Sequence, residues 1–221
     1  MVPLSLAGLF SGLLTAFCSK SGGQLWNALL PGVAFGALIS GGLVMCGILQ
    51  SIGKATRIIA LTIAAYIVSN LVATAVQLAL LPFIPESQQW SMGHPMTESP
   101  IAVFAGGAIG GFLILYGIVI LLHPKTERRG LEAKILLCSS ASGALGVIGW
   151  ALGPSLGMAL WSVSHALHLT APTETYQNAA YGGTGYQYSL YPVWQSGTAV
   201  LLGVLLRRYE AKPPSKELEN P

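Results

Sequence analysis

Aspartate is absent from the chain, and charged residues of every kind make up 9% of its 221 positions, against about 25% in soluble domains. The eight acidic residues are therefore all glutamate, and like the eleven Lys and Arg they lie outside the long apolar runs. Ion-coupled carriers and pumps usually hold a carboxylate, Lys or Arg at membrane depth, because a titratable or coordinating group does the coupling. No apolar run here supplies one. Cysteine is equally sparse. Cys18, Cys46 and Cys138 are odd in number, lack CxxC spacing and fall in or beside apolar stretches, so buried free thiols are expected rather than a disulfide or zinc framework. No phosphate-cradling glycine loop or dinucleotide fingerprint occurs, and no cofactor is expected. The net charge of +3 comes from segments flanking the apolar runs, so it reports membrane orientation and implies no nucleic-acid partner.

What the chain does have is apolar length, with 52% hydrophobic residues and 27 glycines. The stretch from Ile58 to Ile84 carries no charge and exceeds the roughly 30 Å of a bilayer core. Its polar positions, Thr62, Tyr66, Ser69, Asn70, Thr74 and Gln77, fall within an arc of about 140° at 100° per residue. An unpaired polar group facing hydrocarbon costs several kcal/mol. The whole stripe is therefore expected to face a helix bundle or a hydrated path, with the rest of the chain organised around this helix.

An all-α bundle of six transmembrane helices follows, with spans at about 3–19, 27–49, 57–84, 100–122, 133–153 and 190–206 in a single domain, 1–208. The first span is read as retained, since no basic segment precedes it. Gly32, Gly36 and Ser40, and the pairs Gly106 with Gly110 and Gly107 with Gly111, provide small-residue ridges for close helix approach. Residues 155–168 are too short and polar for a span and are expected in the interface, or as a continuation of the fifth helix. The tail 209–221 is expected to be disordered. Lys54, Arg57, Lys125, Arg128, Arg129, Lys134, Arg207, Arg208, Lys212 and Lys216 share one side of this topology, against Lys20 on the other. That asymmetry predicts cytoplasmic termini in a plasma membrane, with a bacterial inner membrane as the expected location. Trp26, Trp90, Trp161, Trp194, Tyr188 and Tyr191 then fall at the outer boundary as an aromatic belt.

Three constellations bear on chemistry. The string SASGALGVIGWALG, from Ser140 to Gly153, resembles the serine-bearing helix of rhomboid intramembrane proteases. The resemblance places Ser142 and Gly143 at the nucleophile's position and implies a His base from a later helix. Here His165 and His168 follow 23 and 26 residues after Ser142 in the same segment, roughly 35 Å along a continuous helix, and the last span has no His. Close helix packing accounts for the string, and no enzyme is expected. Met92, His94 and Met96 form an MxHxM pattern with donors suited to Cu(I), in an outer loop near His165 and His168. The third constellation is the polar stripe, with Tyr116, His123, Ser139, Ser140, Ser142, Gln195 and Thr198 as possible companions on other spans. It suits a path for a small neutral or lipophilic solute, as in a permease. The alternative is a non-catalytic accessory or assembly subunit, whose partners would be the bilayer, a second copy or other membrane chains.

Overall fold

The computed structural model describes residues 2–18, 24–83, 99–123, 131–168 and 184–210. These form helices α1 (Val2–Cys18), α2 (Gln24–Met45), α3 (Ile52–Leu80), α4 (Pro100–Leu122), α5 (Glu132–Ala151), α6 (Met158–Ala166) and α7 (Thr184–Glu210). No strand occurs among the described residues.

Local chemistry sets several boundaries. Helix α2 stops at Met45, four residues before the expected end at 49, because Gly47 adopts φ +72 and its N–H returns to the Val44 carbonyl. A left-handed residue just past the last turn is the usual glycine termination. At the start of α4 the Ser99 side chain accepts from the Ala102 N–H, and Pro100 occupies the first turn, where its missing N–H leaves no helical bond unmade. After α5, a π-helical turn over Gly153–Gly157 contains Pro154 and leads into α6. At nine residues α6 is too short to cross a bilayer. It packs Met158 and Trp161 against Ala16 near the end of α1, so α6 continues α5 through the π-turn as a short helix laid against that end of α1.

The long helices pack antiparallel on their sequence neighbours, and α7 returns to α1, closing a ring in the order α1, α2, α3, α4, α5, α7. The contacts between α1 and α7 show the antiparallel sense, since Gly8 faces Ala199 while Gly12 faces Pro192. The beginning of α1 and the end of α7 thus share one end of the ring. There Leu4, Leu43, Leu49, Ile58, Ile118, Leu131, Ile135 and Leu202 belong to one apolar core. At the glycine-rich part of α4, α7 also reaches across to touch α4.

Four segments are long and apolar enough to cross a membrane: Ile52–Phe83, Pro100–Leu122, Glu132–Ala151 and Ser189–Arg207. Val2–Phe17 and Leu29–Met45 are shorter apolar helices. The chain thus has the helices of an integral membrane protein. The ring is not organised around α3. Only 17% of the α3 span is buried, against 56% of the α7 span, because α7 packs closely on helices from both ends of the chain, whereas α3 packs closely on α2 and α4 and meets α7 through Tyr66.

Candidate functional site

Helix α7 presents Tyr191, Trp194, Gln195 and Thr198 at i, i+3, i+4 and i+7, the spacing of one helix face. Each reaches another helix. Trp194 Nε1 donates to Ser142 Oγ on α5 at 2.9 Å, and Ser142 Oγ lies 2.9 Å from Thr198 Oγ1 and 3.1 Å from the Gly107 carbonyl on α4. A hydroxyl has one proton and two lone pairs, so one assignment satisfies the set. Trp194 and Thr198 donate to Ser142, and Ser142 donates to Gly107. On the α1 side, Ser11 Oγ donates to Gln195 Oε1 at 2.5 Å, and Gln195 Nε2 lies 3.4 Å from Thr15 Oγ1. One turn further along, Ser189 Oγ donates to the Gly149 carbonyl at 2.6 Å.

The polar stripe of α3 does not stay together. Thr62 is buried and donates to the Gly32 carbonyl of α2 at 2.8 Å, while Ser69 donates to the Gly106 carbonyl of α4 at 2.7 Å. Gln77 is buried and accepts from the Ser99 N–H at 2.8 Å. Tyr66, half-buried, points across the ring, and its hydroxyl lies 2.6 Å from that of Tyr191 on α7, with ring centroids 6.1 Å apart. Asn70 and Thr74 are exposed, and Asn70 bonds only its own helix, to the Tyr66 carbonyl at 2.9 Å. The expectation that all six residues face the interior is corrected for these two. Relative to Thr62, Ser69 sits near −20°, Tyr66 near +40°, Asn70 near +80° and Thr74 near +120°. An arc of about 140° is wider than the face that α2 and α4 cover.

The aromatic-belt assignment fails for three residues, Tyr191, which turns inward to Tyr66, and two tryptophans. Trp194 is 6% exposed, filling space opposite Gly107 and Gly110 in the core, and Trp161 is equally buried and stacks on His165 at 5.1 Å. Of the proposed companions of the stripe, Ser142, Gln195 and Thr198 join the interior network. Tyr116 is exposed and stacks on Phe112 of its own helix, and Ser140 bonds back to Leu136. Ser11, Thr15, Ser189, Tyr191 and Trp194 were not anticipated as part of it, although the i, i+3, i+4, i+7 spacing on α7 and the i, i+4 pair on α1 carry the signal. Ser142 is fully buried with Trp194 and Thr198 and bonds no histidine, so the nucleophile and base arrangement implied by the rhomboid resemblance does not form. Met92, His94 and Met96 lie outside the described residues, as does the tail beyond 210, and α7 extends through Glu210. Among the described residues no group of three His, Cys, Asp or Glu side chains comes together. No protein-family model, curated protein or solved structure matches the chain.

Proposed function

We propose that the chain is a six-span, non-enzymatic protein of a bacterial plasma membrane, with both termini in the cytoplasm, whose helix ring passes a small uncharged solute. The observation that carries this is the Tyr66–Tyr191 hydroxyl pair, which joins helices that are not neighbours in the ring and so bars its interior. The buried polar residues among those described are Ser, Thr and Gln, with no charge, which suits a neutral solute and disfavours an ion. The paired Tyr66 and Tyr191 hydroxyls are the polar groups at this level, beside Ser69 and Trp194, which bond Gly106 and Ser142, while Ile114, Leu115, Ile118 and Leu202 belong to the apolar core.

Osmotic swelling of proteoliposomes in a graded series of neutral polyols and urea tests the reading. Solute entry faster than into protein-free vesicles is expected. Removing both hydroxyls with Tyr66→Phe and Tyr191→Phe is expected to change that rate about 3- to 30-fold, the equivalent of the ~0.6–2 kcal/mol of a membrane hydrogen bond. Rates equal to those of empty vesicles for every solute would overturn it. Orientation has its own check. Cysteines introduced as Gln89→Cys and Gly183→Cys are expected to react with an impermeant thiol reagent from outside intact cells, and Gly130→Cys is not. The basis is the charge asymmetry, and labelling at 130 from outside would reverse the topology. The outward placement of Asn70 and Thr74 supports a second reading, an accessory subunit docked to another membrane chain. Purified protein would then move no solute but would copurify with that chain.

A further inference from the structure

We propose that the seam between α5 and α7 binds one anionic phospholipid, with its headgroup on Lys134 and Arg207 and an acyl chain along the apolar surface beside them. The inference needs only that α5 and α7 cross the membrane, and it holds whether or not the ring passes a solute. Leu145 of α5 lies over Gly197 of α7, while Gly149 faces Leu190, which marks the seam and its antiparallel sense. Lys134 lies 11 residues back from Leu145, within about 20° of the seam, and Arg207 lies 10 residues on from Gly197, about 80° toward the exposed side. Both steps are about 15–16 Å and lead to the same end of the bundle. The two cations therefore flank one seam at one level. Neither has an acidic partner among the described residues, and Glu132 sits about 160° round α5 from Lys134.

What lies beyond the cations fits a lipid tail. Leu137 and Ile148 sit within about 60° of Lys134 round α5, as Val204 and Val200 do of Arg207 round α7. All four are exposed, Leu137 by 72% and Val204 by 52%. From Leu137 to Ile148 this surface runs about 16 Å, half of the roughly 30 Å hydrocarbon core and so the depth of one leaflet. It is apolar along its length and charged at one end, the layout of a phospholipid. A phosphodiester takes charge-assisted hydrogen bonds from a guanidinium, and an ammonium adds a compact positive charge. Long cationic side chains at a helix end reach headgroup level while their stems stay on apolar surface, and basic sites between membrane helices suit anionic headgroups. A second copy of this chain would bring the same two cations to the same level, where like charges repel.

Native mass spectrometry of the full-length protein in mild detergent tests the site, with phosphatidylglycerol and phosphatidylcholine of the same acyl chains as probes. Wild type is expected to hold one phosphatidylglycerol about 10- to 30-fold more tightly than phosphatidylcholine, the preference that two cations beside an anionic headgroup give. Lys134→Gln with Arg207→Gln is expected to abolish that preference. Lys54→Gln with Arg57→Gln, which removes the same charge from the start of α3, is expected to keep it. Melting temperatures without added lipid are expected to match wild type for both pairs, since none of the four side chains bonds another helix among the described residues. If the first pair fails to fold, Arg207→Gln alone, at an exposed position, is expected to lose part of the preference. Glycerophosphoglycerol, the headgroup without acyl chains, is expected not to displace the lipid at equal concentration. Equal affinity for the two lipids, equal loss in the two charge pairs, displacement by the free headgroup, or disulfide trapping of a second copy or another chain through Leu137→Cys would each overturn the assignment.

Discussion

Gly12→Ala is expected to lower the melting temperature in detergent by roughly 2–12 °C, while Gly41→Ala leaves it unchanged or slightly raised. A methyl group at Gly12 would lie 2.7 Å from Pro192 N and from Tyr191 O and closer still to Pro192 Cα. These are backbone atoms of α7, so no side chain can turn aside, and α1 must move off α7 as a body. Overpacking of this kind costs about 1–3 kcal/mol, sometimes more, which for a chain of this size shifts melting by about 2–4 °C per kcal/mol. The displacement also stretches the bond from Ser11 to Gln195, one residue away on the same contact. At Gly41 a methyl group meets nothing within 4 Å. There the only change is helix propensity, which favours alanine by about 0.5–1 kcal/mol. Equal melting of the two variants would mean that the contact between α1 and α7 does not close the ring.

Trp194→Ala is expected to be the most damaging single truncation, at about 3–5 kcal/mol, the range for large aromatics in a core. The indole fills the space opposite Gly107 and Gly110 and donates to Ser142, so its loss leaves a cavity between α4, α5 and α7 and takes a donor from a buried hydroxyl. Trp194→Phe is expected to cost less, because its ring refills most of the cavity, while Ser142 keeps Thr198 and the Gly107 carbonyl in either variant. An interfacial tryptophan facing lipid headgroups would tolerate either change. Thermal unfolding in detergent separates the cases, and a wild-type melting temperature for Trp194→Ala would return the residue to the membrane boundary.

The sequence by itself determined the helical membrane class and the approximate place of the helices. Charge-free runs of bilayer length have few other structures available, because only a helix satisfies every backbone N–H and C=O within its own segment. It also marked the glycines of α4 as a site of close approach, which Gly107 and Gly111 make against α5 and Gly106 and Gly110 against α3. Which polar residues meet was decided by tertiary structure. Thr62 through Gln77 form one arc on a helical wheel, but the angle at which α2 and α4 cover α3 divides it, leaving Asn70 and Thr74 outside. Trp194 and Tyr191 sit in a segment that reads as a membrane boundary. Only the closure of α7 onto α1, across the full length of the chain, turns them inward to Ser142 and Tyr66. Periodicity constrains neighbours one turn apart on the same helix. It carries no record of which other helix lies against them, and that choice made α7 the helix that bonds α1, α3 and α5 at once.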